Sequence, residues 1–269
     1  MSDFLSHFNF QAVPFTREIS VRHCFKLPYF DEALSALQTT IEQRMSAALI
    51  APAGTGKTCL LRDLICRLPE ARYRTHYVKV ADLSKREMCR EIAEAIGCAP
   101  AGCYPTLVRR LQDHFLQNSD TDGLRPVLII DESHGLRPEV LSMLRVLTNF
   151  EMDSRLVVSI IICGQPSLGR LLKKSDMDDV AKRLSHFATL RPLTRDESHR
   201  YIDHRCNIVG APANPFDHDS REALFEIARG NLRATDHLAL KSLEVAHRNN
   251  KCAVVDSNHV IEARRSLWP

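Results

Sequence analysis

The apolar run Ala47-Ala-Leu-Ile50, followed at once by Ala51-Pro-Ala-Gly-Thr-Gly-Lys-Thr58, constrains the fold more than any other stretch of the chain. It places a buried strand, a tight loop and a helix N-terminus in immediate succession. Gly54 and Gly56 let the backbone turn its N–H groups toward an anion with no Cβ in the way. The start of the following helix adds a partial positive charge. Ala53, Gly54, Thr55, Gly56, Lys57, Thr58 and Cys59 are thus expected around the phosphates of a nucleotide. Lys57 would reach the β- and γ-phosphates and Thr58 would ligate Mg²⁺, so the expected cofactors are ATP and Mg²⁺. Ala51 stands where such loops usually begin with glycine. Alanine is the smallest replacement, so a slightly altered first turn is expected, not a lost site.

A second motif lies where the first requires one. Val127-Leu-Ile-Ile-Asp131-Glu132 is a run of aliphatics ending in an acidic pair. A buried strand ending there sets Asp131 beside Thr58 as a second metal ligand, and Glu132 where it can orient or deprotonate a water. The remaining pattern alternates strands and helices. Helices are expected over 31–44, 57–68, 84–96, 105–116 and 138–149, with further strands over 75–80 and 156–162. Such alternation implies a parallel sheet covered on both faces. After Leu193 the pattern becomes helical. Thr194-Arg-Asp-Glu197 is a capping box opening a helix to about 209, and three more helices follow near 217–229, 232–248 and 257–267. Residues 8–30 read as an ordered, irregular lead-in. The expected division is 1–45 as lead-in and first helix, 46–191 as the nucleotide-binding α/β domain, and 192–269 as a small all-helical domain.

Composition bounds the partners. The 269 residues, 44% apolar and 26% charged, suit a globular chain, and a net charge of +3 is too small for one copy to hold nucleic acid by bulk charge. Nine cysteines, among them Cys24, Cys163 and Cys252, include no C-x-x-C pair, so neither a zinc site nor a disulfide framework is expected. The first ten residues lack the pattern of a signal peptide, and the longest apolar run, 156–163, is too short to span a bilayer. A cytoplasmic location with no membrane contact is expected.

With these motifs, the chain resembles the AAA+ ATPases, in particular the branch with the ExeA/GspA-like proteins and the TniB-, IstB-, MuB- and TnsC-like transposition ATPases. The resemblance rests on His7-Phe-Asn-Phe10, Pro14-Phe15, the loop 51–58, Asp131-Glu-Ser-His134 and Gly164-Gln-Pro166. It continues through Lys182-Arg-Leu184, Arg191-Pro-Leu193 and Gly230-Asn-Leu-Arg233. It implies a P-loop AAA+ α/β fold, a parallel sheet flanked by helices, with a small C-terminal all-helical lid. It further implies Gln165 as the polar group sensing the γ-phosphate and Arg233 as a second sensor. Arg183 would be the arginine that a neighbouring subunit inserts into the site, with Lys182 and Arg191 as competitors; Pro14 and Phe15 would wall the adenine.

The same resemblance puts basic residues after the second strand against duplex DNA, here Lys85 and Arg86, with Arg109 and Arg110 as a second pair. If about six subunits each neutralised roughly two phosphates, the assembly would neutralise about twelve, enough for strong, salt-sensitive binding. The favoured expectation is a transposition regulator that forms rings or helical filaments on duplex DNA, recruits a transposase, possibly with a target-selector protein, and disassembles on hydrolysis. An ExeA/GspA-like ATPase of a secretion or envelope pathway is the alternative; it is disfavoured because those proteins usually carry a membrane segment and a wall-binding domain. A DEAH-type helicase, suggested by residues 131–134 alone, fails because no second motor domain fits.

Overall fold

The computed structural model describes residues 2–80, 82–250 and 253–267, so Cys252 lies outside the described residues. In chain order the elements begin with α1 (Ser2–Phe8), α2 (Pro28–Glu42), β1 (Ser46–Ile50), α3 (Lys57–Arg67) and β2 (Tyr73–Lys79). Next come α4 (Lys85–Ile96), α5 (Tyr104–Asp120), β3 (Arg125–Asp131), α6 (Pro138–Leu147) and β4 (Ser159–Gly164). The chain continues through α7 (Pro166–Leu172), α8 (Asp178–Ala181) and β5 (Leu184–Thr189), and ends in α9 (Arg195–Asn207), α10 (His218–Ala228), α11 (Leu232–Asn250) and α12 (Ser257–Leu267).

Two compact units form. One holds residues 27–52 and 57–190; the other holds 1–26, 53–56 and 191–269. The expected boundary near 191 is close to one junction. The lead-in divides differently from expectation: residues 1–26 join the helical unit, whereas α2 packs on the sheet.

In the first unit five parallel strands lie in the order β2-β3-β4-β1-β5. The three central strands are apolar on both faces because both faces are covered. Ala48, Leu128, Ile130, Ile160 and Ile162 face a core shared with α4 to α8. Their neighbours Ala47, Leu49, Val127, Ile129, Ile161 and Cys163 face the opposite core, filled by Leu34, Leu37 and Ile41 of α2 and Leu60, Leu61 and Leu64 of α3. This two-sided burial is why β3 and β4 read as unbroken aliphatic runs and not as alternating ones. The register aligns the carboxyl ends, with Ile50 opposite Gly164 and Ile130 opposite Ile162. A crevice at those ends, where the strand order reverses, is the usual ligand position in an open α/β sheet.

β5 was not expected. Its sequence, Leu-Ser-His-Phe-Ala-Thr, has no apolar run, because an edge strand buries little beyond Leu184 and Ala188. The last central strand begins at Ser159, later than the expected 156, and Leu156 is exposed.

In the second unit, α9 to α12 surround Ile202, Phe216, Leu224, Leu238, Leu243 and Val260. The lead-in contributes Phe8, Phe10 and Phe15 to this core. α1 precedes the segment read as irregular, and its Phe4 meets Phe8 edge to face at 5.5 Å. The expected capping box is complete: Thr194 accepts from the Glu197 N–H, and the Glu197 carboxylate accepts from the Thr194 N–H. Gly230, at φ +72, is required by close approach as well, since a Cβ there would collide with the Leu193 carbonyl.

Glu197 also accepts two hydrogen bonds from Arg191, at 2.6 and 2.8 Å, and this guanidinium holds its pKa down at about 2 from the usual 4.5. The ionised form is favoured by the folded chain, so its contribution is complete above pH 4.5 and fades as the pH falls toward 2. The unfolding free energy of Glu197→Gln, followed by urea titration, should therefore fall less steeply across that window than that of the parent.

Candidate nucleotide site

The loop after β1 has the backbone that its glycines suggested. Gly54 and Gly56 lie at φ +74 and +94, where side chains other than glycine are strained. Ala51 is fully buried against the α2–α3 core, and its N–H donates to the Gly164 carbonyl at 2.9 Å. Its backbone is not left-handed. Position 51 thus needs a small residue, not glycine, and the loop's first turn is intact.

Residues 53–56 group with the helical unit through two contacts. The Asn231 amide donates to the Ala53 carbonyl at 2.7 Å, and the Leu232 N–H donates to the Gly54 carbonyl at 2.9 Å. A Cβ on Gly54 would collide with the Asn231 side chain. Within the block Gly230-Asn-Leu-Arg233, Arg233 is the residue with an expected role. The residues of this block that touch the loop backbone are Asn231 and Leu232, while Arg233 sits exposed on the first turn of α11.

Lys57 opens α3 and is only 8% exposed. Its ammonium lies 3.3 Å from Asp131 Oδ1 and 3.3 Å from Glu132 Oε1. The two sequence motifs, more than seventy positions apart, meet in one ion cluster. Asp131 ends β3, is 3% exposed, and accepts a hydrogen bond from the Tyr77 hydroxyl at 2.9 Å. Burial, followed by that donation to Asp131, raises the Tyr77 pKa well above the ordinary phenol value. Tyr77 had not been singled out; it sits on edge strand β2, where an exposed aromatic is an ordinary strand residue. Thr58 is exposed at the second position of α3, and Cys59 is half-buried against the core beneath it.

Glu132 adopts a left-handed backbone, φ 60 and ψ 25, rare for a residue with a side chain. Its carboxylate is bonded by Lys57 on one side, and on the other His134 Nδ1, buried without a hydrogen-bond partner, stands 3.5 Å from Oε2. The Gln165 amide nitrogen lies 2.9 Å from His134 Nε2. Gln165, directly after β4, therefore joins the cluster through a histidine that sequence reading quoted but gave no role.

Several of the other expected groups have partners of their own within the chain. Arg183 makes a two-pronged ion pair with Asp153, at 2.7 and 2.6 Å, and reaches Thr148 Oγ1 at 3.3 Å. Arg191 is held by Glu197, and exposed Lys182 stands 3.9 Å from Asp178. Phe15, expected at the adenine, is 3% exposed inside the helical unit, edge-on to Phe216 at 5.8 Å with the Arg205 guanidinium over its ring; Pro14 is buried beside it. In this structure both act as core anchors. Arg86 Nε donates to the Gly102 carbonyl, and Arg110 donates to those of Ala99 and Ala101, so both guanidinia brace one loop. Lys85 and Arg109 are exposed on the starts of α4 and α5.

A parallel sheet with a lysine-bearing loop after β1 and an acidic pair after its second neighbour defines a P-loop nucleoside triphosphatase. Residues 40–172 match the family model of the AAA domain, a stretch that holds the glycine loop, the acidic pair and Gln165. The chain is 25% identical over 252 residues to General secretion pathway protein A of Aeromonas hydrophila, covering 92% of this chain and 46% of that one, so it spans less than half of that relative's length. Among solved structures, Cdc6p from Pyrobaculum aerophilum superposes with a TM-score of 0.72 at 18% identity, over 94% of this chain and 70% of that one. The Aeropyrum pernix ORC1 protein, in complex with DNA, gives 0.66 at 20% identity, over 94% and 68%. Thermotoga maritima RuvB gives 0.57 at 16% identity, over 88% and 67%. These likenesses carry the fold: a parallel sheet flanked by helices, with a helical C-terminal region.

Two substitutions test the loop. Ala51→Gly should leave ATP affinity within about twofold, because the backbone at 51 suits either residue and the change removes one buried methyl from the core without touching the loop's N–H groups. Gly54→Ala should lower affinity by about tenfold or more, through left-handed strain added to the collision with Asn231. Titration with a fluorescent ATP analogue measures both.

Proposed function

We propose that the chain hydrolyses Mg-ATP with Lys57, Thr58, Asp131 and Glu132, and uses the cycle to switch its own assembly. The observation that carries this is the ion cluster of Lys57 with both carboxylates. An ammonium between two acids, at the mouth of a glycine loop and a helix N-terminus, is a site able to exchange those acids for a polyphosphate and a divalent cation. Among the described residues no group of three or more His, Cys, Asp or Glu could hold a metal by itself. That suits Mg²⁺, which commonly takes one or two carboxylates and completes its shell with water and substrate phosphate. Asp131 and Thr58 would hold the ion, which neutralises charge on the β- and γ-phosphates when bound.

In the reaction, a water oxygen attacks the γ-phosphorus and the bond to the β,γ-bridging oxygen breaks. ADP leaves with that oxygen, and Glu132 accepts the proton lost by the water. Lys57 moves from the carboxylates to the phosphates, and Gln165 contacts the γ-phosphate or the water. Arg183 would act on a neighbouring subunit's site after release from Asp153, which makes turnover depend on assembly. Arg233 is assigned as second sensor on its motif alone.

For the process served, we infer ATP-dependent assembly on duplex DNA in transposition, with Lys85 and Arg109 as the outward-facing cations and a transposase as client. The support is the motif set together with exposed basic residues at the starts of α4 and α5. A secretion or envelope role is the second reading, and the observation favouring it is the 25% identity to General secretion pathway protein A across 92% of this chain. No helix of the described residues is long and apolar enough to cross a membrane.

Glu132→Gln should retain ATP affinity, lose at least about a hundredfold in turnover, and accumulate the assembled state in sedimentation. Rapid disassembly of that variant in ATP would remove Glu132 from its role. Duplex DNA with a non-hydrolysable ATP analogue should give rings or filaments by electron microscopy. In fluorescence anisotropy, Lys85→Glu with Arg109→Glu should weaken binding for all sequences alike and reduce the salt slope by roughly 0.9 per lost phosphate contact. Neither assembly nor DNA affinity at low salt would leave the secretion-type reading.

A further inference from the structure

We propose that His134 is a positioning residue for Glu132 and couples it to Gln165; this rests on the reading of Glu132 as the group that receives the water's proton. The imidazole bridges the two, with Nε2 at 2.9 Å from the Gln165 amide nitrogen and Nδ1 at 3.5 Å from Glu132 Oε2.

Hydrogen-bond chemistry fixes the direction of this bridge. In neutral imidazole one nitrogen donates and the other accepts. Nδ1 is buried without a hydrogen-bond partner, 3.5 Å from a Glu132 carboxylate oxygen that can only accept, so the neutral tautomer that suits Glu132 is the one with its proton on Nδ1. Nε2 is then an acceptor, and the group opposite it must be the N–H side of the Gln165 amide. In the neutral ring the reverse arrangement, with the amide oxygen at Nε2, would turn an Nδ1 lone pair toward the carboxylate; an imidazolium would donate from both nitrogens and meet the amide oxygen, not the amide nitrogen, at Nε2. Gln165 thereby selects the tautomer that holds Glu132. An amide nitrogen has two N–H groups, so donation to His134 leaves one for a phosphate oxygen, and one side chain can engage both.

The backbone is built to keep this bridge. Ser133 is fully buried and its hydroxyl donates to the Ile130 carbonyl at 2.8 Å, fixing the turn that carries His134. Gly164 lies so close beneath the turn that a Cβ there would stand 3.0 Å from the His134 nitrogen. The left-handed backbone of Glu132 turns the chain between them.

The bridge matters most once Lys57 has moved. Of the two side chains that hold the Glu132 carboxylate, Lys57 transfers to the phosphates, and His134 remains. Glu132 is then aimed by a ring whose own orientation reports on Gln165, and so on whether a γ-phosphate is bound.

The test is a double-substitution cycle in ATP turnover by the full chain, under conditions where the parent turns over. His134→Ala and Gln165→Ala should each lower kcat by about tenfold with KM for ATP and affinity for a fluorescent ATP analogue unchanged. The double variant should be no slower than the slower single one, because both remove the same constraint. His134→Asn, whose amide N–H stands near Nδ1 but cannot reach Gln165, should recover part of the His134→Ala loss and make Gln165→Ala cost less in its background than in the parent. That variant also serves if His134→Ala fails to fold. Losses that multiply to about a hundredfold, or wild-type kcat in both His134 variants, would overturn the coupling. Glu132→Gln is run in parallel: if it turns over normally, the reading of Glu132 itself fails; if it is inactive while the His134 variants are normal, only the bridge fails.

Discussion

The site depends on the register of three parallel strands. β1, β3 and β4 end level with one another, so the loop after β1, the acidic pair ending β3 and the glutamine after β4 emerge at one edge of the sheet. That alignment brings an ammonium within 3.3 Å of two carboxylates that lie more than seventy residues away in sequence. A slip of one residue in β3 would turn Asp131 to the opposite face, and the cluster would vanish along with the core packing. The aliphatic runs that bury both faces of the sheet thus also fix the chemistry at its end. Stability and function rest on one set of contacts.

Much of this was legible because the signals are local. The glycine loop, the buried run before the acidic pair and the capping box at Thr194 are each specified within a few residues by steric and hydrogen-bonding rules. The elements that escaped notice lack such signals. β5 is an edge strand made of Ser, His and Thr with two buried apolar residues, so its existence follows from pairing with β1 and not from its own pattern. α1 is short and aromatic, and its helical form follows from packing in the helical unit.

Side-chain partnerships were the least legible layer. Arg183, Arg191, Arg86 and Arg110 all looked like cations for an outside partner, yet each bonds an acid or a carbonyl of this chain. Only the fold could sort them from Lys85 and Arg109. Phe15 likewise gave a sequence no means to tell a nucleotide wall from a core ring. His134 was plain in the motif, but its link to Gln165, thirty-one residues on, exists only because β3 and β4 are neighbours.

The left-handed turn at Glu132 narrows the chemistry available at that position. Such a backbone costs a side-chain-bearing residue about 1–2 kcal/mol, and least for Gly, Asn and Asp. The residues that would sit there most comfortably are therefore neutral or one methylene shorter than glutamate. A chain under pressure only to be stable would drift toward asparagine or glycine and lose the carboxylate that we propose as the base. Retaining glutamate in that conformation keeps a small permanent strain beside Lys57 and Asp131, and on that proposal catalytic power and foldability pull this single position in opposite directions.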